Sequence, residues 1–95
     1  MKRKYAKVDA NQAEVVKALR AAGCSVISTA ALGNGFPDLL VARNGQMKLI
    51  ECKNGELCPS ARKLTPHEEK FRTTWKAPVY TVNNADEAIV VISKL

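Results

Sequence analysis

Apolar residues in the first quarter of the chain recur with the spacing of a helix. Four of them share one helical face: Val15, Val16, Leu19 and Ala22. Asp9 can serve as the N-cap, because Gln12 stands three positions later as in a capping box. Gly23 suits the left-handed position that ends many helices. The pattern predicts a first helix from about Asp9 to Gly23.

The middle of the chain has the pattern of a β-hairpin. Two largely apolar runs, residues 38–43 and 46–53, flank Asn44-Gly45. Asn-Gly between such runs favours a type I′ turn, because both residues tolerate positive φ. A shorter alternating run at residues 25–29 predicts another strand before the hairpin.

The second half of the chain continues with two more helices and one strand. Thr65 is a candidate N-cap, followed by a proline and by Glu68 at the capping-box position, and this helix is predicted to run to about Lys76. Residues 79–82 predict a strand, and Asn84 caps a final helix. The order is helix, three strands, helix, strand, helix, which predicts an α/β fold with a mixed sheet flanked by helices.

Composition limits the organisation and the class of partner. The 95 residues, 1–95, make one domain, and their net charge of +6 fits a polyanionic partner such as nucleic acid. A basic protein without such a partner has the same balance. Three cysteines without a CxxC pair, and a single histidine, predict neither a disulfide framework nor a zinc site. No run approaches the ~20 apolar residues of a membrane span. A soluble protein of a reducing cytosol is predicted.

The hairpin register brings three charged side chains together. If Asn44 and Gly45 form the turn, each step back along the first strand matches one step forward along the second, so Asp38 faces Glu51. Directly opposed residues share a face, with Cβ atoms about 4.5–5.5 Å apart. Lys53 lies two residues beyond Glu51, so its side chain leaves from that face too.

Two opposed carboxylates between apolar neighbours are costly without a counter-charge. A divalent cation between Asp38 and Glu51 would resolve the conflict, and their hard oxygen donors suit Mg²⁺ or Mn²⁺. The alternative is a cross-strand salt-bridge cluster on an exposed sheet face. Cys52, between Glu51 and Lys53, should point to the opposite face as a small core residue.

Three segments resemble a known group of enzymes. Gly35-Phe36-Pro37-Asp38-Leu39-Leu40, Glu51-Cys52-Lys53 and Leu64-Thr65-Pro66 are similar to the motifs of the PD-(D/E)XK nuclease superfamily, and in particular to its VRR-Nuc family, whose small stand-alone members occur mainly in phages and bacteria. The resemblance implies a restriction-endonuclease-like αβββαβ core and Mg²⁺- or Mn²⁺-dependent hydrolysis of DNA. It also implies a homodimer that acts on branched DNA such as four-way junctions.

The resemblance also implies roles for individual residues. Glu14 joins the catalytic set and binds the cation directly or through water; the alternative is a solvated helix glutamate. The backbone carbonyl of Cys52 is a further metal ligand. Many relatives have a glutamine near Glu68, which is interpreted here first as a structural capping residue. The catalytic residues so implied are Asp38, Glu51, Lys53 and Glu14.

Aromatic, histidine and basic residues outside these motifs are interpreted from their types and positions alone. His67 is interpreted as a surface residue rather than a general base, and Phe71 and Trp75 as core or dimer contacts. A basic run is usually only a solvated face. Candidate DNA contacts are Arg43, Arg62, Lys63, Lys70, Gly33 and Gly35.

The function predicted is that of a metal-dependent endonuclease of the bacterial or phage-infected host cytoplasm, needing no organic cofactor. Two alternatives stay open: a non-catalytic DNA-binding module with a nuclease-like fold, and a structural protein whose carboxylates are paired for stability.

Overall fold

Helices flank a four-stranded mixed sheet in the part of the chain that the structure describes. The computed structural model describes residues 3–54, 60 and 63–94. The elements are α1 (Arg3–Ala21), β1 (Ser25–Ser28), a 3-10 turn (Ala30–Leu32), β2 (Leu39–Arg43), β3 (Gln46–Cys52), α2 (Pro66–Thr74), β4 (Val79–Val82) and α3 (Ala85–Ile92). Strands lie in the order β1-β2-β3-β4, antiparallel except for the parallel β3–β4 pair. This arrangement confirms the predicted α/β class and is consistent with a restriction-endonuclease-like fold.

The first helix begins earlier than predicted. Asp9 lies inside α1, which starts at Arg3, so its interpretation as the N-cap is wrong. Residues 4–8 contain no glycine or proline that would end a helix, so the helical backbone continues through them. An aspartate that could cap a helix is also tolerated within one.

The end of α1 agrees with prediction. Gly23 has φ of 92°, the left-handed conformation that a Cβ would penalise. The Gly23 amide donates to the Arg20 carbonyl, and the Cys24 amide donates to the Leu19 carbonyl, both at 3.0 Å. This is the Schellman pattern, and it turns the chain directly into β1.

The hairpin turn and register are those predicted. Asn44 and Gly45 have φ of 53° and 80°, as a type I′ turn requires. Arg43 pairs with Gln46, and the pairing continues without a bulge to the last pair, Leu39 with Ile50. One further step brings Asp38 opposite Glu51.

One face of the sheet packs against α1 and α3. Alternate residues of β2, Leu39 and Val41, are fully buried there, as the two-residue period of a strand requires. The core cluster is made of Val15, Leu19, Cys24, Val26, Leu39, Val41, Ile50, Cys52, Val82, Ala88 and Ile92. The other face of the sheet carries Leu40, Leu49 and Glu51, and it is the face on which the site lies.

Candidate active site

The predicted carboxylate pair lies at the open end of the hairpin. Asp38 directly precedes β2, and Glu51 lies near the end of β3 with only 5% of its surface exposed. The backbone amide of Cys52 donates to Asp38 Oδ2 at 2.9 Å, and the two carboxyl groups lie within hydrogen-bonding reach of each other. The pair predicted from the register is therefore present.

Backbone contacts fix Asp38 from the side of β1. The Thr29 amide donates to the Asp38 carbonyl at 2.7 Å, and the Thr29 hydroxyl donates to the Pro37 carbonyl at 2.6 Å. Pro37 is fully buried. The position of the Asp38 carboxylate is thus set by strand, turn and core contacts together.

Burial raises the pKa of both carboxyl groups, and the negative charge of Glu68 adds to the rise. Burial followed by the charges of Asp38 and Glu68 raises the pKa of Glu51 to about 9. Burial also raises the pKa of Asp38, although the Cys52 amide opposes that rise. The pair therefore retains a proton near neutral pH, and a divalent cation could replace that proton.

Cys52 separates the two motif residues and points into the core, as predicted. Its side chain is 7% exposed. Burial, with smaller contributions from the charges of Asp38 and Glu51, raises the pKa of its thiol to about 12. The thiol therefore stays neutral, and the residue supports the site through its backbone amide.

Lys53 lies on the same face as the carboxylates. Its Nζ lies 3.8 Å from Glu51 Oε2 and 2.9 Å from Glu68 Oε1, and its side chain is 14% exposed. An ammonium that is mostly shielded from water and faces two carboxylates is held more tightly than an exposed surface pair.

Glu68 joins the site from the start of α2. The predicted capping box is present: Thr65 Oγ1 accepts from the Glu68 amide, and Glu68 Oε1 accepts from the Thr65 amide at 2.9 Å. The same oxygen accepts from Lys53. Burial acts to raise the pKa of Glu68, but the hydrogen bonds from Lys53 and Thr65 outweigh it and lower that pKa. Glu68 is a structural cap, as interpreted, and also a site residue, which the capping pattern alone did not indicate.

Gly35 is required by the contact between the preceding loop and α2. Its φ is 82°, and a Cβ there would overlap the backbone of His67. This contact brings the first turn of α2, and with it Glu68, against the segment that leads to Asp38. A role of Gly35 or Gly33 in approaching DNA stays a prediction.

Helix α1 contributes a residue that was not predicted. Asn11 Nδ2 donates to the Lys53 carbonyl at 2.8 Å, whereas Glu14 is exposed and no contact between Glu14 and the site is seen among the described residues. The signal in the sequence was a polar residue one turn before Val15, on the apolar stripe. Catalysis and metal binding by Glu14 stay predictions.

The candidate DNA contacts are spread over the molecule. Arg43 donates to the Ile92 carbonyl at 3.1 Å and lies at the turn end of the hairpin, about 16 Å from Asp38 at 3.3 Å per strand residue. Lys63 and Lys70 are exposed, as is His67. The prediction for Arg62 lies outside the described residues.

Three aromatic rings pack between α2 and the open sheet face. The Phe71 and Trp75 rings stack with centroids 5.0 Å apart, and Phe36 meets Phe71 edge-on at 5.1 Å. Phe36 and Trp75 border a groove of about 380 Å³ that Leu40 and Met47 also line. The rings pack against one another, and Trp75 is 43% exposed, so the interpretation of Phe71 and Trp75 as core or dimer contacts stays a prediction.

The donor set suits a hard divalent cation but is small. Among the described residues, no three His, Cys, Asp or Glu side chains are arranged to hold a metal ion. Asp38 and Glu51 supply two carboxylates, and Mg²⁺ keeps several waters when few protein ligands are present. The residues therefore fit a hydrated Mg²⁺ or Mn²⁺; the Cys52 carbonyl as a further ligand stays a prediction.

Within residues 3–54 and 63–94, no helix combines the length and apolar character needed to cross a membrane.

Comparison with known proteins identifies the part of the chain that holds the site. The sequence model of the family described as archaeal Holliday junction resolvase (Hjc) matches residues 3–59, more than half of the chain, including Asp38, Glu51 and Lys53. No curated protein and no solved structure matches. The predicted resemblance is thus confirmed at the level of the PD-(D/E)XK superfamily, though the matching family is not VRR-Nuc. The chain belongs to the Hjc family of Holliday junction resolvases, nucleases of the PD-(D/E)XK superfamily that act on DNA junctions.

Proposed function

We propose that this protein is a Mg²⁺- or Mn²⁺-dependent endonuclease that hydrolyses phosphodiester bonds in four-way DNA junctions as a homodimer. The observation that carries the proposal is the pairing of half-buried Asp38 with buried Glu51, with Lys53 3.8 Å from Glu51 on the same face. Buried, proton-sharing carboxylates destabilise the apoprotein, and cation binding would offset that cost.

Asp38, Glu51 and the Cys52 carbonyl would hold the cation, with Glu14 as a further ligand through water. When bound, the cation supplies charge stabilisation to the scissile phosphate and a lowered pKa to an attacking water. Lys53 presents a compact positive charge at the same place, where it orients the attacking water and stabilises charge on the phosphate oxygens. Glu68 holds the Lys53 ammonium in position between catalytic turnovers.

Basic residues at several places on the surface are proposed to contact the DNA backbone. Lys63 and Lys70 present exposed ammonium groups, and Arg43 keeps guanidinium donors beyond the one bonded to Ile92. Arg62 and the backbone at Gly33 and Gly35 complete the proposed contacts. Such contacts set affinity and orientation rather than sequence preference.

A second copy of the chain is proposed to cover the exposed apolar side chains on the part of the open sheet face nearer the hairpin turn, away from Asp38 and Glu51. Ile27 and Met47 are 60% and 69% exposed. The register places Ile27 beside Leu40, and Leu40 beside Leu49, so apolar side chains run continuously across three strands. A contiguous apolar patch of this kind is typical of an interface, and symmetric cutting of a four-way junction needs two sites in one frame.

The dimer is tested by light scattering on a size-exclusion column. Met47→Glu should halve the mass and abolish paired cuts in a junction. Val90→Glu is the matched control, since Val90 is also 60% exposed but lies on α3, against the opposite sheet face. A wild-type monomer at assay concentration would rule out the dimer.

The nuclease proposal is tested by cleavage of labelled four-way junction, flap, linear duplex and single-stranded DNA with Mg²⁺, Mn²⁺ or EDTA. Cleavage should favour the junction, require the cation and disappear in Lys53→Ala. Lys94→Ala, which removes an exposed lysine after α3, should cut like wild type. Binding of junction without cutting under either cation would instead support the DNA-binding module.

A relation of this chain to the VRR-Nuc family is also a proposal. Leu64-Thr65-Pro66 lies beyond the matched residues 3–59, and it supports a relation to the small stand-alone VRR-Nuc proteins of phages and bacteria. We further propose that the protein acts on DNA in the cytoplasm of a bacterium or a phage-infected host.

A further inference from the structure

Asn11, on α1, reaches the residue that follows β3. Its Nδ2 donates a hydrogen bond of 2.8 Å to the backbone carbonyl of Lys53, in a partly buried setting. Because a carbonyl only accepts hydrogen bonds, the nitrogen of the Asn11 amide must face it. The bond joins residues 42 positions apart in the chain, so it ties the first helix to the active-site end of the sheet.

Lys53 needs this support because it lies one residue beyond β3, which ends at Cys52. Its amide donates to the Val82 carbonyl at 2.8 Å, and its carbonyl accepts from Asn11. Both peptide groups that flank the Lys53 Cα are thus held, which fixes the direction of its side chain. The ammonium then meets Glu68 at 2.9 Å.

We infer that Asn11 is a positioning residue for Lys53 in phosphodiester cleavage, an inference that rests on the function proposed above. Asn11 acts through the lysine backbone and does not touch the reacting atoms. A carboxylate at this place on the first helix would add a cation ligand. The Asn11 amide instead donates to the Lys53 carbonyl, so it only fixes the position of the lysine backbone. A misplacement of about 1 Å in a catalytic group costs on the order of 100-fold in rate.

The test compares Asn11→Ala, which removes the bond, with Asn11→Asp, which keeps the shape but turns an acceptor toward the carbonyl. Both should lower the single-turnover rate at saturating junction by about 10- to 100-fold, with junction affinity in Ca²⁺ unchanged. Asn84→Ala is the control: it removes the N-cap bond of α3 to the Glu87 amide without touching Lys53, and should cut at the wild-type rate.

Labelling of Lys53 gives a second readout that needs no cleavage. Acetylation by a limiting reagent, followed by peptide mass spectrometry, should be faster at Lys53 in both Asn11 variants and unchanged in Asn84→Ala. The inference would be overturned if either Asn11 variant cut at the wild-type rate or faster. It would also be overturned if the labelling rate of Lys53 were the same in the Asn11 variants as in wild type. If the wild-type protein does not cut, the proposed function fails, while labelling still decides whether Asn11 holds Lys53.

Discussion

The two ends of the β2–β3 hairpin obey opposite physical requirements. At the turn, Asn44 and Gly45 adopt positive φ, which asparagine tolerates and which costs glycine little because it lacks a Cβ. Arg43 is bonded to the end of α3. At the open end, buried Glu51 and half-buried Asp38 are held together against their electrostatic preference. The turn satisfies its local requirements, whereas the open end accumulates repulsion.

This difference shows how a stable feature can enforce an unfavourable one. The turn sets the register, and the register continues without a bulge to Leu39 and Ile50. The carboxylates cannot separate without shifting the strand, which would move its apolar residues to the wrong face. Stability at one end is therefore what keeps the repulsion in place at the other.

The largest effect should follow from removing a carboxylate at the open end. Glu51→Gln should lower junction cleavage in Mg²⁺ by on the order of 10²- to 10³-fold, because it removes a proposed carboxylate ligand of the cation that stabilises the developing charge. Gln46→Ala, at the exposed turn end of the same strand, should cut normally. Retention of wild-type rates by Glu51→Gln would place catalysis elsewhere.

The next effect concerns stability against pH. In the folded chain Glu51 holds its proton up to about pH 9, whereas unfolding returns its pKa to 4.5. Between these values the unfolded state binds fewer protons, so the free energy of unfolding falls as pH rises. In EDTA, the free energy of unfolding of Glu51→Gln should exceed that of wild type by at least about 2 kcal/mol at pH 8 and by little at pH 4.

Denaturant titrations at pH 4 and pH 8 measure this difference. Mn²⁺ should raise the melting temperature of the wild-type protein at pH 8 but not that of Glu51→Gln. A wild-type protein whose stability in EDTA stays constant between these pH values would contradict the repulsive pair.

A smaller effect is expected at the turn. Gly45→Ala introduces a Cβ at φ of 80° and should cost about 1–2 kcal/mol of unfolding free energy. Cleavage per folded molecule should stay at the wild-type level, because the register is also held by the buried faces of the strands. Chemical denaturation measures the stability of Gly45→Ala, and a cleavage assay measures its activity. Lost cleavage without lost stability would contradict the idea that the turn end of the hairpin acts only on stability.

The smallest effect should come from Arg43. Arg43→Ala removes the bond to the Ile92 carbonyl and should cost about 1 kcal/mol of unfolding free energy. As a proposed phosphate contact, it should also reduce the salt slope of junction binding by about 1. Arg43→Lys retains the charge and should restore that slope. A slope unaffected by Arg43→Ala would restrict the residue to its bond with α3.

The hairpin and the helix caps could be predicted from the sequence because each depends on residues close together in the chain. Asn44-Gly45 fixes its own turn, and Thr65 and Glu68 bond to each other across three positions. From the turn, counting residues was enough to bring Asp38 opposite Glu51.

The remaining features depend on how distant elements pack. Asn11 meets Lys53 only because α1 crosses the end of β3, and Glu68 meets Lys53 only because the loop at Gly35 lies against the backbone of His67. Neither distance follows from spacing. The start of α1 was also missed, since nothing in the sequence forces the helix to begin at Asp9.

The backbone bond from Cys52 to Asp38 explains why a motif can contain a position without a fixed letter. Every residue except proline offers the same amide at position 52, while the side chain only has to fill a small apolar space in the core. The hydrogen bond from the position-52 amide to Asp38 therefore leaves no fixed residue type in the sequence. Sequence at this position can drift among small apolar residues, and only a change that removes the N–H or overfills the core would be felt at the site.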